Sequence, residues 1–166
     1  MVEKKMENEF CWAVCWDSDF IQKLCREGFL PIASPIRGPG GKVLLPKLHT
    51  ARCVMDDLSQ LRVSKSARKH ARKISFSVDT AFKQVLDKCV EQHGVNWIGL
   101  LASEFEHMFQ HPGHGVVMHS IEAWNSDGEL VAGEIGWSCG STYTRCVCVC
   151  VCVGRECMCW EGVCWE

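Results

Sequence analysis

The fold is decided by the stretch VVMHSIEAWNSDGELVAGEIGWS, residues 116–138. Val116 to Trp124 predicts a strand, Asn125 to Gly128 a tight turn, and Leu130 to Ser138 a returning strand, because two runs rich in apolar and β-branched residues flank turn-forming residues. Cys139-Gly140 predicts a second tight turn, which leads into a strand at Ser141 to Thr144. We therefore expect an antiparallel sheet built from hairpins.

Two helices are predicted immediately before this sheet. The first is expected to have Asp79 as its N-cap and to end at Gly94. The second follows a loop that carries Trp97. The inward faces are Ala81, Phe82, Val85, Leu86, Cys89 and Val90 in the first helix, and Leu100, Leu101, Phe105 and Met108 in the second. Ile74 to Val78 alternates apolar and polar residues as a half-buried strand does. This order of elements predicts an α+β, or mixed α/β, fold.

The first 43 residues are predicted to form a small N-terminal region. Its helix places Phe20, Ile21, Leu24 and Cys25 at helical spacing after the capping candidates 17–19 and ends at Gly28. The loop SPIRGPGGK, Ser34 to Lys42, is dense in Pro and Gly and marks a boundary. Short strands are predicted at Val43 to Leu45 and at Cys53 to Met55. The predicted divisions are 1–43, a main domain at 44–145, and a Cys-rich tail at 146–166 outside the fold.

Composition excludes several classes of protein. The chain has 166 residues and a formal net charge of −2, so a general attraction to nucleic acid is not expected. No apolar run approaches the roughly 18 residues of a membrane helix. The charged first nine residues do not resemble a secretory signal. The expected protein is soluble and intracellular, with reduced thiols.

The cysteines are unevenly distributed. Six of the thirteen lie in residues 1–145 and seven in residues 146–166, where Cys-Val occurs four times in succession at 146–153. In a strand these cysteines would share one face and the valines the other. Because TGT encodes Cys and GTG encodes Val, an uninterrupted TG repeat translates to this pattern, and we favour translated intron or a faulty gene model. The alternative is a thiolate metal site.

A basic helix is the strongest local signal for binding. Six Lys or Arg residues and no acidic residue lie between Arg62 and Lys73, with Ser64 as the candidate N-cap. A helix places five of them on one arc, opposite Ala67, Ala71 and Ile74: Lys65, Arg68, Lys69, Arg72 and Lys73. Such a surface can neutralise phosphates without reading bases. The alternative is a solvated helix or a localisation signal.

Other chemical motifs are weaker. His107, His111, His114 and His119, with Glu104, Glu106 and Glu122, show no HExxH or comparable frame, which favours surface and loop histidines over a metal site. Ser-His-Asp triads can be drawn from any such sequence, and no candidate serine is assigned to a nucleophile elbow. A Walker-type phosphate loop is absent from the sequence.

A series of motifs resembles the bacterial leucyl/phenylalanyl-tRNA–protein transferases over about residues 20–144. The motifs, in order, are FIQKLCREGFLPI (20–32), LRVSKSARK (61–69), FSVDTAF (76–82), NWI (96–98), HSIEAW (119–124) and DGELVAGEIGWSCG (127–140). The family shows LHVSRSLRK, VDTAF-like, TWIT, HSVEVW and DGELVGGLYGVALG stretches in the same order. Five collinear motifs from residue 61 onward make the resemblance fairly specific.

The resemblance implies a GNAT-like acyltransferase fold behind a small N-terminal domain. Members transfer an amino acid, Leu or Phe, from aminoacyl-tRNA to the N-terminal Arg or Lys of a protein and so mark it for degradation. The five basic residues match the surface that holds the tRNA backbone. Trp97 matches an aromatic residue beside the 3′-terminal aminoacyl-adenosine, and Glu134 and Tyr143 match positions near the amino-acid pocket. The expected protein is a monomer without cofactor, metal or membrane contact, in the cytoplasm or alternatively a chloroplast.

Three departures from the family pattern matter. Its WWSPDPR segment appears here as PKLHTAR (46–52), and Glu134 replaces an apolar pocket residue. After Tyr143 the Cys-Val tail stands where the family has its catalytic segment, so no catalytic residue is assigned. The expectation is a C-terminally incomplete homologue with weak or no transferase activity. The alternatives are a tRNA-binding remnant and a Cys-rich metal-binding protein.

Overall fold

The computed structural model describes residues 10–36, 41–49, 57, 59 and 62–150. Its helices are α1 (Ser18–Arg26), α2 (Lys65–Ala71), α3 (Phe82–His93) and α4 (Ile98–Gln110). Its strands are β1 (Ala33–Pro35), β2 (Lys42–Leu44), β3 (Ser75–Val78), β4 (Val116–Trp124), β5 (Leu130–Cys139) and β6 (Thr142–Cys150). The predicted mixed α/β class with antiparallel sheets is confirmed.

The centre of the fold is a four-stranded antiparallel sheet in the order β3-β4-β5-β6. Strand β4 has the predicted bounds, and β5 ends one residue beyond the predicted Ser138. Met118 pairs with Trp137 across β4 and β5, and Ser138 pairs with Tyr143 across β5 and β6. This register determines which side chains share a face.

Helices α3 and α4 pack on one face of this sheet. Their buried residues include Val85 and Leu86 on α3 and Leu101, Phe105 and Met108 on α4, which meet inward side chains of the strands such as Met118, Ile135 and Trp137. Gly133 on β5 permits the close approach of α3, because a Cβ there would lie 2.9 Å from a methyl group of Val85. The opposite side, which we call the open face, exposes Phe76, Val78, Val117 and Tyr143. None of the described helices covers it.

The N-terminal elements share this core. Helix α1 begins after the N-cap Asp17, whose carboxylate accepts the Asp19 N–H at 3.0 Å, as the sequence predicts. Ile21 and Cys25 of α1 are buried together with residues of α4. Strands β1 and β2 form an antiparallel pair at the predicted Pro/Gly loop. The predicted strand at Cys53 to Met55 lies outside the described residues.

The last strand extends into the Cys-Val segment. The sequence predicted that the fold ends before residue 146, but β6 continues to Cys150 and pairs with β5. Val147 and Val149 are 4% and 3% exposed. Alternation along the strand turns the valines toward the core, and burial of each contributes about 2 kcal/mol. Residues 151–166 lie outside the described ranges.

Two helix boundaries also differ from the prediction. Helix α2 ends at Ala71, so Arg72 and Lys73 lie in the turn that leads to β3. Helix α3 begins at Phe82 after the N-cap Ala81, not after Asp79. The Asp79 carboxylate makes other hydrogen bonds, described below, and is therefore not the predicted cap.

Candidate functional site

The five predicted tRNA-contacting residues form an exposed surface, which we call the basic surface. Lys65, Arg68 and Lys69 lie on α2, and Arg72 and Lys73 follow in the adjoining turn. All five are exposed. The chain then enters β3, the edge strand of the central sheet, so the basic surface borders that sheet edge.

The structure brings Glu134 and Tyr143 together on the open face. The Tyr143 hydroxyl donates a hydrogen bond to Glu134 Oε1 at 2.9 Å. The ring lies across Gly136, where a Cβ would be 2.5 Å from the Tyr143 oxygen. Burial, and then the neighbouring Glu134 carboxylate, raise the pKa of Tyr143. The hydroxyl therefore remains a hydrogen-bond donor at neutral pH.

Trp97 does not lie on the open face with Glu134 and Tyr143. It is the N-cap residue of α4 and packs, partly buried, against the core on the helix side of the sheet. Its ring meets that of His93 edge-on at 5.9 Å, and His93 Nε2 donates to the Cys148 carbonyl at 2.6 Å. Trp97 Nε1 is buried and has no hydrogen-bond partner among the described residues. The three predicted pocket residues therefore do not share one face.

A hydrogen-bonded Ser-His-Asp array lies on the open face, and the sequence did not predict it. Ser138 Oγ is 2.9 Å from His119 Nε2, and His119 Nδ1 is 2.8 Å from Asp79 Oδ2. Ser138 and His119 are 19 residues apart in sequence, and His119 and Asp79 are 40 apart. Ser138 is the serine of GWSCG (136–140), which has the G-x-S-x-G spacing, but it lies near the end of β5 before the turn into β6 and not in the strand-to-helix turn of a nucleophile elbow. His119 and Asp79 are not marked by a catalytic motif in the sequence. Their proximity follows from the strand register, in which His119 pairs with Gly136 and has Ser138 as its diagonal neighbour.

Asp79 is fixed by both its side chain and its backbone. Its Oδ1 accepts the Ser120 N–H at 2.8 Å, and its own N–H donates to the Ser120 carbonyl at 2.9 Å. Its φ of 58° lies in the left-handed region, which aspartate tolerates better than most residues. These contacts hold the carboxylate beside His119.

Glu122 is a fully buried carboxylate on the other side of β4. It accepts hydrogen bonds from the hydroxyls of Ser77, Thr80 and Ser120 and from the Ala81 N–H. Burial alone would raise the pKa of Glu122, but the hydrogen bonds, led by that from Ser120, hold it below the ordinary value. This carboxylate accepts one backbone N–H at the start of α3, that of the N-cap residue Ala81, where the sequence predicted Asp79 as the cap.

The remaining histidines make local contacts. The rings of His107 and His111 stack at 4.4 Å, and His114 contacts the Asp19 carboxylate. Across the described part of the chain, no three His, Cys, Asp or Glu side chains are grouped to hold a metal ion. No helix in that part is long and apolar enough to cross a membrane.

Residues 55–146 match the model of a family described as Leucyl/phenylalanyl-tRNA protein transferase. The chain is 34% identical over 86 residues to the leucyl/phenylalanyl-tRNA–protein transferase of Methylococcus capsulatus, covering 51% of this chain and 36% of the relative. It is 36% identical over 91 residues to the Rhodospirillum rubrum protein of that name, covering 52% of this chain and 41% of the relative. The chain thus spans about two fifths of the length of these curated relatives, and the resemblance seen in the motifs is confirmed.

Proposed function

The chain belongs to the leucyl/phenylalanyl-tRNA–protein transferase family, and from this premise we propose that it acts as an aminoacyl-tRNA–protein transferase. In the proposed reaction the α-amine of an N-terminal Arg or Lys attacks the carbonyl carbon of the aminoacyl ester. An amide bond forms, the ester bond to the tRNA ribose breaks, and the acceptor protein is marked for degradation. The proposal includes a cytoplasmic, monomeric protein with a GNAT-like arrangement of the sheet and helices.

The basic surface is the observation that carries this proposal. Its five exposed cations can neutralise phosphates of a tRNA backbone although the net charge of the chain is −2. Each neutralised phosphate contributes roughly −0.7 to −0.9 to the slope of log K against log salt concentration, so five contacts correspond to a slope of about −4. Affinity is therefore expected to fall steeply as salt rises.

The amino-acid site is proposed to include Glu134 and Tyr143, with Trp97 beside the aminoacyl-adenosine. Support for Glu134 and Tyr143 comes from their direct hydrogen bond on the open face. For Trp97 the support is its match to the family motif, since its ring is only partly exposed and packs on the helix side. A carboxylate in this pocket would favour a polar or cationic side chain over an apolar one. The transfer assay should therefore compare Leu-, Phe- and Arg-tRNA.

Binding is tested by replacing Arg68 and Arg72 together with alanine. We expect weaker tRNA binding at low salt and a salt slope that is smaller by about 2, because two phosphate contacts are lost. The matched control is Lys83→Ala with Lys88→Ala, which removes the same charge from α3, where both lysines pair with acidic neighbours. Unchanged affinity and slope in the arginine variant would contradict the assignment of the basic surface.

Transfer is tested with charged tRNA and a peptide that begins with Arg or Lys. The proposal expects a new amide at the peptide N-terminus and no product when that amine is acetylated. Salt-sensitive tRNA binding without any transferred amino acid would reject the transferase and leave a tRNA-binding protein, the function that the basic surface supports by itself.

A further inference from the structure

We propose that Ser138 is a nucleophile and that the open face carries a site that cleaves small activated carboxylic esters through an acyl-serine intermediate. The inference does not rest on the proposed function, since it requires neither tRNA nor a protein acceptor. It rests on the array of Ser138, His119 and Asp79, the solvent access of the open face, and the apolar residues beside the serine.

The hydrogen bonds of the array have a defined direction. A carboxylate can only accept a hydrogen bond, so the 2.8 Å contact with Asp79 Oδ2 places a proton on His119 Nδ1. In the neutral imidazole, Nε2 is then the acceptor, and the Ser138 hydroxyl donates to it at 2.9 Å. A serine that donates to a carboxylate-oriented imidazole has the geometry required for nucleophile activation.

Asp79 is a positioning residue in this arrangement. It does not face the acyl group but fixes the His119 ring in the tautomer that leaves Nε2 free to take the serine proton. Two hydrogen bonds with Ser120, one from the Asp79 carboxylate and one from its backbone N–H, fix the position of the side chain. The backbone of Asp79 is in the left-handed region. A strained backbone at such a position is more common where a side chain has a specific task.

The surroundings of Ser138 indicate the class of ester. Its cross-strand neighbours are Val117 on β4 and Tyr143 on β6, and these are 40% and 39% exposed. The His119 side chain is 24% exposed. A short apolar acyl chain could lie on the valine and the tyrosine ring while its carbonyl carbon meets Ser138 Oγ. We therefore assign acetyl to butyryl esters with a good leaving group.

The proposed reaction has two steps. Ser138 Oγ attacks the carbonyl carbon while its proton passes to His119 Nε2; the bond between that carbon and the alcohol oxygen breaks, and the alcohol leaves with the proton. Water then attacks the acyl-serine carbon and gives a proton to Nε2. The bond to Oγ breaks, Ser138 recovers its proton, and a carboxylic acid is released.

The test uses a fluorophosphonate probe, which phosphonylates activated serines, together with 4-nitrophenyl butyrate hydrolysis. We expect the folded full chain to be labelled at Ser138, as shown by peptide mapping. S138A should lose both labelling and hydrolysis, and H119Q should lower both rates about 100-fold or more.

The variant D79N tests the positioning role of Asp79. Asparagine tolerates the left-handed backbone, so D79N should lower both rates without unfolding the chain. The control S126A changes an exposed serine in the β4–β5 turn and should behave as the wild type.

Several results would overturn the inference. A folded wild type that is not labelled, a label on any residue other than Ser138, or S138A that hydrolyses the ester at the wild-type rate would each do so. Thermal unfolding of every variant separates a structural role from a catalytic one. If the array only stabilises the sheet, D79N and H119Q will lower the melting temperature while the labelling rate per folded molecule stays unchanged.

Discussion

Replacing Glu122 with glutamine is expected to lower the free energy of unfolding by about 3 kcal/mol. The carboxylate is completely buried and has four donors around it, three hydroxyls and the Ala81 N–H at 3.2 Å. A hydrogen bond to a charged group is worth about 1.5–3 kcal/mol, against about 1 kcal/mol for a neutral pair. Losing roughly 0.5–1 kcal/mol at each of four bonds gives the expected value.

The effect of Glu122→Gln should depend on pH in a definite direction. The hydrogen bonds hold the pKa of Glu122 below its ordinary value of 4.5. A group whose pKa is lower in the folded state stabilises the fold above its unfolded pKa, and that contribution is lost as the pH falls through the folded value. The difference between wild type and variant should therefore be constant near neutrality and shrink below about pH 4.5.

Urea denaturation at pH 7, 5 and 3.5, followed by tryptophan fluorescence, measures this difference. The control Glu27→Gln changes an exposed glutamate at the end of α1 and should alter stability by less than about 0.5 kcal/mol. Equal stability of Glu122→Gln and wild type at pH 7, or a difference that grows as the pH falls, would refute the reasoning. Either result would mean that Glu122 does not accept these bonds as a carboxylate.

Two further perturbations test the packing of the strands and the burial of a thiol. Gly136→Ala should lower the free energy of unfolding by about 1–3 kcal/mol, because the new methyl group would lie 2.5 Å from the Thr144 carbonyl oxygen and would also meet the Tyr143 ring. An unchanged free energy of unfolding in urea would contradict this close approach. Burial raises the pKa of Cys25 to about 12, so its thiol should stay protonated and resist iodoacetamide at pH 8, whereas the exposed Cys11 should react. Peptide mapping that finds Cys25 alkylated as fast as Cys11 in the folded chain would show the burial to be wrong.

Local patterns predicted most of the secondary structure. The apolar spacing of Leu101, Phe105 and Met108 places them on one face of α4, and all three are buried. The alternation of β4 and the NSDG turn after it predicted that strand with its observed bounds. These features depend on residues within a few positions of one another, so they can be recognised without knowledge of the tertiary structure.

In the candidate sites, too, the sequence revealed only what depends on residues that are neighbours along the chain. The basic surface is a run of neighbouring residues, and its exposure followed from its composition. The meeting of Glu134 and Tyr143 depended on the β5–β6 register, and the motif match could not show that Trp97 lies on the other side of the sheet. The buried Glu122 was considered only as a metal-ligand candidate, because three of its four donors, on Ser77, Thr80 and Ala81, are more than 40 residues away in sequence.

The sequence by itself determined the family, the mixed α/β class, the main helices and strands, and the basic surface. The tertiary structure alone decided that Asp79 leaves the cap of α3 to join His119, and that Val147 and Val149 complete the core. The physical reason is that the partner of a polar side chain is selected by strand register and packing between distant segments. Asp79 makes two hydrogen bonds with Ser120 and one with His119, whereas a cap position would offer its side chain a single backbone N–H, and no short window of sequence contains all of these groups.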